Sequence, residues 1–251
     1  MATSTPQPKP PHHYRKHFIP LESNPEVFTE LIHKLGATNL HFEDVFTLDD
    51  IQLLQNLLGT VHAFILVIPT TQAYEKDVEE QEKNVDEYDL SGEKEEEAGV
   101  VFFKQTINNA CGWYAVLHGL CNGSARELVG TNNALTTLLS KCTPLGPHER
   151  ALAVENDAAL EAAYASVARK GDTEAPEAEA EVDYHYICFV KSLKNGHLYQ
   201  LDGDRKRPID LGDLGDGEGV LSEGCLRIVR DMIKREEEAK LGVNLMALVS
   251  S

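Results

Sequence analysis

Cys111 is the residue of this chain best suited to covalent chemistry. It stands in Asn109-Ala110-Cys111-Gly112, where a strongly apolar helix is expected to begin. In the first turn of a helix, the dipole and the free N–H groups favour an anionic sulfur. Gly112 lets a substrate backbone come close. Taken alone, Cys111 reads equally well as a small buried hydrophobe, the fate of most free cysteines. The other four, Cys121, Cys142, Cys188 and Cys225, lack this setting and read as core residues.

A cysteine nucleophile needs a base, usually a histidine held by a third group. His118 shares the helix, but the rise separates it from Cys111 by about 10 Å, so it reads as a packed helix histidine. His12, His13 and His17 belong in or near an N-terminal tail. His185 is better placed, at the start of a predicted strand that leads out of a loop. Asp202 ends the partner strand. If the turn between them spans Leu193 to Gly196, Ile187 faces Asp202 and His185 is its diagonal neighbour on the same face. A tighter turn centred on Asn195-Gly196 slides Asp202 out of reach. Asp202-Gly203 is also ordinary turn sequence. Acyl transfer further requires donors for the tetrahedral oxyanion. The backbone N–H of Cys111 is one candidate. The side chain of Gln105, in the loop entering the helix, is a second, although a lone Gln is usually a solvated loop residue.

The elements around these residues follow from pattern. Asn24 and Pro25 suit the start of a helix. Val27, Phe28, Leu31, Ile32 and Leu35 continue it at helical spacing, and Gly36 stops it. Leu40 to Phe46 reads as a strand, Asp49 to Leu58 as a short helix, Val61 to Ile68 as a buried strand and Val100 to Phe103 as another. Cys111 to Cys121 is apolar on nearly all sides and predicts a buried helix, with Asn109 available as its cap. Helical segments are expected over Thr131 to Ser140 and Pro147 to Arg169. Tyr184 to Val190 and His197 to Asp202 form a hairpin. Gly219 to Lys240 is a last amphipathic helix, and Val243 to Val249 a final strand.

The formal net charge is −18 over 251 residues, and it is concentrated. Glu75 to Ala98 carries −9 and Asp172 to Asp183 carries −6. The first stretch has too few apolar residues to pack and is expected as a mobile acidic loop. One ordinary globular body bearing two acidic loops repels nucleic acid and suits a basic protein partner. The five cysteines show no CxxC spacing, so neither a zinc site nor a disulfide framework is expected. Met1 to Pro11 is polar and proline-rich rather than a signal peptide. The longest largely apolar run, Val61 to Ile68, is too short to span a bilayer. A reducing compartment follows, cytoplasm or nucleus, with no membrane association.

These parts together resemble the ubiquitin C-terminal hydrolases, a family of papain-like cysteine peptidases. Lys104-Gln105-Thr106-Ile107-Asn108-Asn109-Ala110-Cys111-Gly112 is similar to that family's oxyanion-and-nucleophile signature. Val182-Asp183-Tyr184-His185-Tyr186-Ile187 is similar to its histidine strand. Gly196 to Gly203, followed by Arg205-Lys206 and Pro208-Ile209, is similar to its aspartate hairpin. Pro20 to Val27, Glu155-Asn156-Asp157 and Asn244 to Leu248 match further motifs. The resemblance covers Phe18 to Val249. It departs from the family in a His185–Asp202 hairpin longer by an even number of residues, which preserves the face. It departs also in Trp113, the only tryptophan, where many members carry smaller residues.

The resemblance implies a fold and roles. The fold is α/β and papain-like, a central, largely antiparallel sheet flanked by helices with a knotted backbone. Residues 1–16 would be a disordered tail and 17–251 a single catalytic domain in a short form without a C-terminal extension. Residues 75–98 would be an acidic loop and 155–183 a crossover loop arching over the cleft. Gln105 would complete the oxyanion hole, Cys111 attack, His185 exchange protons and Asp202 orient His185. The expected partner is ubiquitin or a ubiquitin-like protein, met by a monomer without metal or organic cofactor. The expected reaction is thiol-dependent hydrolysis of small or unfolded adducts from ubiquitin's C-terminal glycine. Two alternatives are a silent ubiquitin-binding module and a papain-like enzyme for another substrate.

Overall fold

A computed structural model of the chain describes residues 14–50, 52, 54–55, 59–85, 97–180, 182–237 and 242–250. In chain order the first elements are β1 (Lys16–His17), α1 (Pro25–Leu35), β2 (Leu40–Asp44), β3 (Thr60–Pro69) and α2 (Gln72–Glu82). β4 (Ile107–Asn108), α3 (Cys111–Cys121), α4 (Ala134–Cys142), α5 (Pro147–Glu155) and α6 (Ala158–Ala165) follow. The chain closes with β5 (Tyr184–Lys191), β6 (His197–Leu201), β7 (Ile209–Asp213), α7 (Glu223–Glu237) and β8 (Asn244–Ser250).

Six strands make one antiparallel sheet in the order β2-β8-β3-β5-β6-β7. β3 and β5 lie inside it, and helices cover both faces. Along β3, Ala63, Ile65 and Val67 enter the larger core with α3 and α1. Phe64, Leu66 and Ile68 enter a second core with Cys225, Leu226 and Val229 of α7. Burial on both faces explains why β3 reads as a continuous apolar run rather than an alternating one. The central antiparallel sheet flanked by helices expected from sequence is the one observed.

α1 forms where its signals place it. Asn24 Oδ1 accepts from the N–H groups of Glu26 at 2.9 Å and Val27 at 3.3 Å. Gly36 ends the helix at φ 103°, and a Cβ there would stand 2.4 Å from Asn133 Cβ. Phe28, Leu31, Ile32 and Leu35 are fully buried, and truncating Phe28 to Ala should cost about 3–5 kcal/mol.

The structure departs from the sequence reading in five places. Residues 75–82 are helical rather than loop: Thr71 Oγ1 caps α2 by accepting from Tyr74 N–H at 3.1 Å. Glu and Gln are good helix formers, and the helix needs little apolar surface because its contacts are polar. The rest of the expected acidic loop, 86–96, lies outside the described residues. Val100 to Phe103 joins no ladder. Its backbone groups are taken by side chains instead, as described below. The crossover segment is shorter than 155–183, because α6 occupies its first third and buries Leu160 and Tyr164, followed by Val167 and Ala168. The exposed part begins near Arg169. Arg15 and Lys16 are not tail: Arg15 Nε donates to Glu155 Oε1 at 2.6 Å, and β1 pairs in parallel with β4. Residues 1–13 of the expected tail lie outside the described residues. Finally, α7 begins at Glu223 rather than Gly219, after the Gly-containing turn at 215–219.

Candidate active site

Three segments converge at one end of the sheet: the start of α3, the start of β5 and the end of β6. Cys111 is the first residue of α3 and is almost fully buried. Its cap differs from expectation. The N-cap is Ala110, with no side-chain cap bond, so the first N–H groups of the helix are not taken by a capping side chain. Asn109 adopts a left-handed φ of 56°, a conformation Asn tolerates. Its side-chain nitrogen points away from α3 and donates to the carbonyls of Ala178 at 2.9 Å and Ala180 at 2.7 Å.

The hairpin adopts the wider of the two turns considered. Ser192 N–H donates to His197 O, and Cys188 pairs with Leu201 and Phe189 with Gln200. One step further, the same register sets Ile187 opposite Asp202 and His185 diagonally across. The side chains meet there: His185 Nε2 lies 2.7 Å from Asp202 Oδ1. Asp204 Oδ2 is 3.8 Å from His185 Nδ1 and half exposed. Asp202 is fully buried, and its Oδ1 also accepts the Asp204 N–H at 2.9 Å.

The electrostatics of this pair are set by competing effects. Burial opposes charge on His185, but the Asp202 carboxylate and its hydrogen bond, with a further bond to Cys111, hold the imidazole well above its ordinary pKa. Burial likewise opposes ionisation of Asp202. The charge and hydrogen bond of His185, the Asp204 N–H and Arg205 outweigh it and bring the carboxyl down to about 2. Imidazolium and carboxylate thus stabilise each other in a dry site, and the histidine touches both the thiol and the acid.

Gln105 is brought to the same place by an unusual segment. Asn122 of the α3 C-cap accepts from Val101 N–H at 2.6 Å and donates to Val101 O at 2.9 Å. His118 Nε2 accepts from Phe103 N–H at 3.0 Å. An accepting nitrogen must be unprotonated, and burial drives the pKa of His118 down to about 3. Arg150, fully buried, donates to the carbonyl of Phe102 at 3.0 Å and to those of Cys142 and Leu145. Three polar side chains therefore replace a strand ladder. Gln105 N–H donates to Gly203 O at 2.8 Å, and the buried Gln105 Oε1 has no hydrogen-bond partner among the described residues.

The sequence reading missed three residues near this centre. Tyr74 of α2 donates its hydroxyl to Asp202 Oδ2 at 3.3 Å. Tyr14 is half-buried. Burial and the nearby Asp204 carboxylate push its hydroxyl up to about 12, with His185 and Cys111 also acting on it. Tyr186, one residue after His185, donates to Leu21 O at 2.8 Å and stacks on Phe28. Its position beside the candidate base His185 could have flagged Tyr186; nothing in sequence pointed to Tyr14 or Tyr74. The four other cysteines are buried, and burial pushes the thiols of Cys121, Cys142, Cys188 and Cys225 up. Among the described residues no group of three or more His, Cys, Asp or Glu side chains could hold a metal. No described helix is long and apolar enough to cross a membrane.

The chain is similar to known proteins along most of its length. A ubiquitin carboxyl-terminal hydrolase of Drosophila melanogaster is 36% identical over 220 residues, covering 87% of this chain and 92% of the relative. Ubiquitin carboxyl-terminal hydrolase 3 of Arabidopsis thaliana is 32% identical over 235 residues, 93% of this chain and 94% of the relative. Among solved structures, the catalytic domain of Trichinella spiralis UCH37 bound to ubiquitin vinyl methyl ester superposes with a TM-score of 0.72 at 26% identity. That match covers 95% of this chain and 97% of the other. The family model for "Ubiquitin carboxyl-terminal hydrolase, family 1" matches residues 18–234, a span that contains Gln105, Cys111, His185 and Asp202, and the chain belongs to that family.

Proposed function

We propose that this chain is a deubiquitinase that hydrolyses small or unfolded adducts from the C-terminal glycine of ubiquitin, through an acyl-enzyme on Cys111. The observation that carries the assignment of roles is His185, whose Nε2 lies 2.7 Å from Asp202 Oδ1 and whose side chain also hydrogen-bonds that of Cys111. That is the order nucleophile, base, orienting acid required for thiol catalysis.

In the first step the Cys111 sulfur attacks the carbonyl carbon of ubiquitin's last residue, its proton having passed to His185. The oxyanion is met by the Cys111 backbone N–H, left uncapped at the helix start, and by the Gln105 amide. The tetrahedral intermediate collapses with release of the amine or thiol, which takes the proton from His185. The remaining thioester is then attacked by water, deprotonated by His185, and Cys111 leaves as the thiol. Asp202 stays ionised throughout and holds the imidazole in one orientation.

The direct test is reaction with ubiquitin vinyl methyl ester, the probe bound in the Trichinella relative. The expected result is one adduct, mapped to Cys111. Cys111→Ala should lose both the adduct and turnover of a ubiquitin C-terminal amide while still binding ubiquitin. Turnover by Cys111→Ala, or an adduct on Cys121 or Cys188, would overturn the assignment.

A further inference from the structure

The roles assigned above use one oxygen of Asp202. Its Oδ1 takes His185 Nε2 and the Asp204 N–H, while Oδ2 faces a different element. The Tyr74 hydroxyl donates to Oδ2 at 3.3 Å, and Arg205 Nε stands 3.7 Å away. Arg205 Nε makes no hydrogen bond among the described residues, so the tyrosine supplies the donor on that side. The Tyr74 ring also lies against the histidine, with centroids 6.3 Å apart. One side chain thus touches both members of the His–Asp pair from the face opposite Cys111's helix.

Tyr74 is held firmly enough to position something else. It belongs to the first turn of α2, where its N–H is fixed to the Thr71 cap. The far end of the same helix grips the chain just beyond Asp202. Gln81 Oε1 accepts from Arg205 Nη1 at 3.2 Å, and Glu82 Oε1 accepts from Lys206 N–H at 3.0 Å. Lys206 Nζ returns a bond to Glu82 O at 3.2 Å. A single helix therefore holds both the Asp202 carboxylate and the loop that carries it.

We propose that Tyr74 is a positioning residue of the catalytic site, whose hydroxyl fixes the rotation of the Asp202 carboxylate and through it the His185 ring. The terminal torsion of an aspartate is broad, so a carboxylate held at one oxygen can swing. In a buried site an oxygen without a donor is also costly, which favours such swinging. Burial and the adjacent carboxylate raise the Tyr74 hydroxyl above its ordinary pKa, so it serves as a donor throughout the working range. The role rests on the reading of Cys111, His185 and Asp202 as catalytic. It adds to that reading that the acidic helix is part of the site.

The test is Tyr74→Phe, which removes only the hydroxyl. On a ubiquitin C-terminal amide, kcat should fall about ten-fold with KM within about two-fold, as for a misplaced catalytic group. The alkaline limb of kcat/KM should move to lower pH, because a carboxylate free to swing supports the imidazolium less. In an Asp202→Asn background the same substitution should change kcat by less than about two-fold, since its effect passes through the carboxylate. Wild-type kcat and pH profile in Tyr74→Phe, or an equal loss in both backgrounds, would overturn the role. Either outcome, in an enzyme still labelled at Cys111 by ubiquitin vinyl methyl ester, would leave the catalytic reading intact. Absence of that label from the wild-type chain would instead remove the reading on which Tyr74's role depends.

Discussion

The backbone N–H of Gln105 donates to the carbonyl of Gly203 at 2.8 Å. This bond ties the segment that carries the proposed oxyanion donor to the residue after the proposed orienting acid. The approach is close: a Cβ on Gly203 would stand 2.9 Å from Gln105 Cβ and 3.3 Å from both Gln105 N and Tyr114 Cβ. Gly203 is thus a glycine because two loops touch there, as well as because a turn follows. Under the proposed roles, nucleophile, base, acid and oxyanion donor come from four segments, and this contact sets the spacing of two of them.

Gly203→Ala should therefore damage rate more than binding. The new methyl must displace Gln105 or Tyr114, and a shift of about 1 Å in a catalytic group can cost up to about 10²-fold. The expected outcome is a fall in kcat of at least about ten-fold with KM within about two-fold. Steady-state kinetics on a ubiquitin C-terminal amide measure it, and wild-type kcat would show that the contact is slack.

Gln105→Ala should lower kcat by about 10²–10³ with little change in KM, because an oxyanion donor acts as charge develops. The Gln105 side chain is buried and its oxygen has no partner among the described residues, so the substitution removes no hydrogen bond of that oxygen seen there. An unchanged kcat would make Gln105 a packing residue only.

Asp202→Asn should impair catalysis far more than Asp204→Asn. Asp202 is buried and 2.7 Å from His185, whereas Asp204 is half exposed and 3.8 Å away. The pair should also show in stability against pH. Asp202 is lowered to about 2, so its contribution is complete above its unfolded pKa of about 3.9 and is lost as pH falls toward 2. His185 is raised, so its contribution is complete below about 6.5 and is lost as pH climbs through its folded value. The melting-temperature gap between wild type and Asp202→Asn should thus be widest between about pH 4 and 6.5. A gap that grows steadily above pH 7 would contradict the pairing.

Much of this arrangement is legible in the chain because its signals are local. Asn24, Pro25 and Gly36 delimit α1 by cap chemistry alone, and the two-sided burial of β3 shows as an unbroken apolar run. The His185–Asp202 contact is legible only up to a choice between two turns. The parity of strands limits the pairing, but the Leu193 to Gly196 turn decides it. The Val100 to Phe103 segment looks like a strand because it is apolar and buried. It is held instead by Asn122, His118 and Arg150, polar groups distant in sequence, whose directions no period encodes. α2 escapes notice for the opposite reason. Its apolar content is low, and its anchors are Tyr74 on Asp202 and Glu82 on Lys206, more than a hundred residues away.

Size selection should rest on the stretch from about Arg169 to Asp183, between α6 and β5. This stretch is exposed and acidic, yet it is not a slack strap. Glu22 Oε1 and Oε2 accept the N–H groups of Asp172 at 3.0 Å and Thr173 at 2.9 Å. Asn109, two residues before Cys111, holds it again through the carbonyls of Ala178 and Ala180. A segment anchored at α6 and β5, and tied twice between them, is expected to form a small loop that limits access to Cys111. A flexible peptide or small adduct can thread such a loop, whereas a folded ubiquitin leaving group cannot. Wild-type enzyme should therefore turn over a small ubiquitin amide efficiently and linked di-ubiquitin poorly. Inserting glycine and serine between Thr173 and Glu177 should raise di-ubiquitin cleavage, because it widens the loop while sparing both ties. Asn109→Ala should raise it less, as one tie is lost but the length is unchanged. A paired assay of the two substrates across these variants measures the effect. Comparable cleavage of both substrates by the wild type, or no gain on insertion, would show that access to Cys111 is not limited by this segment.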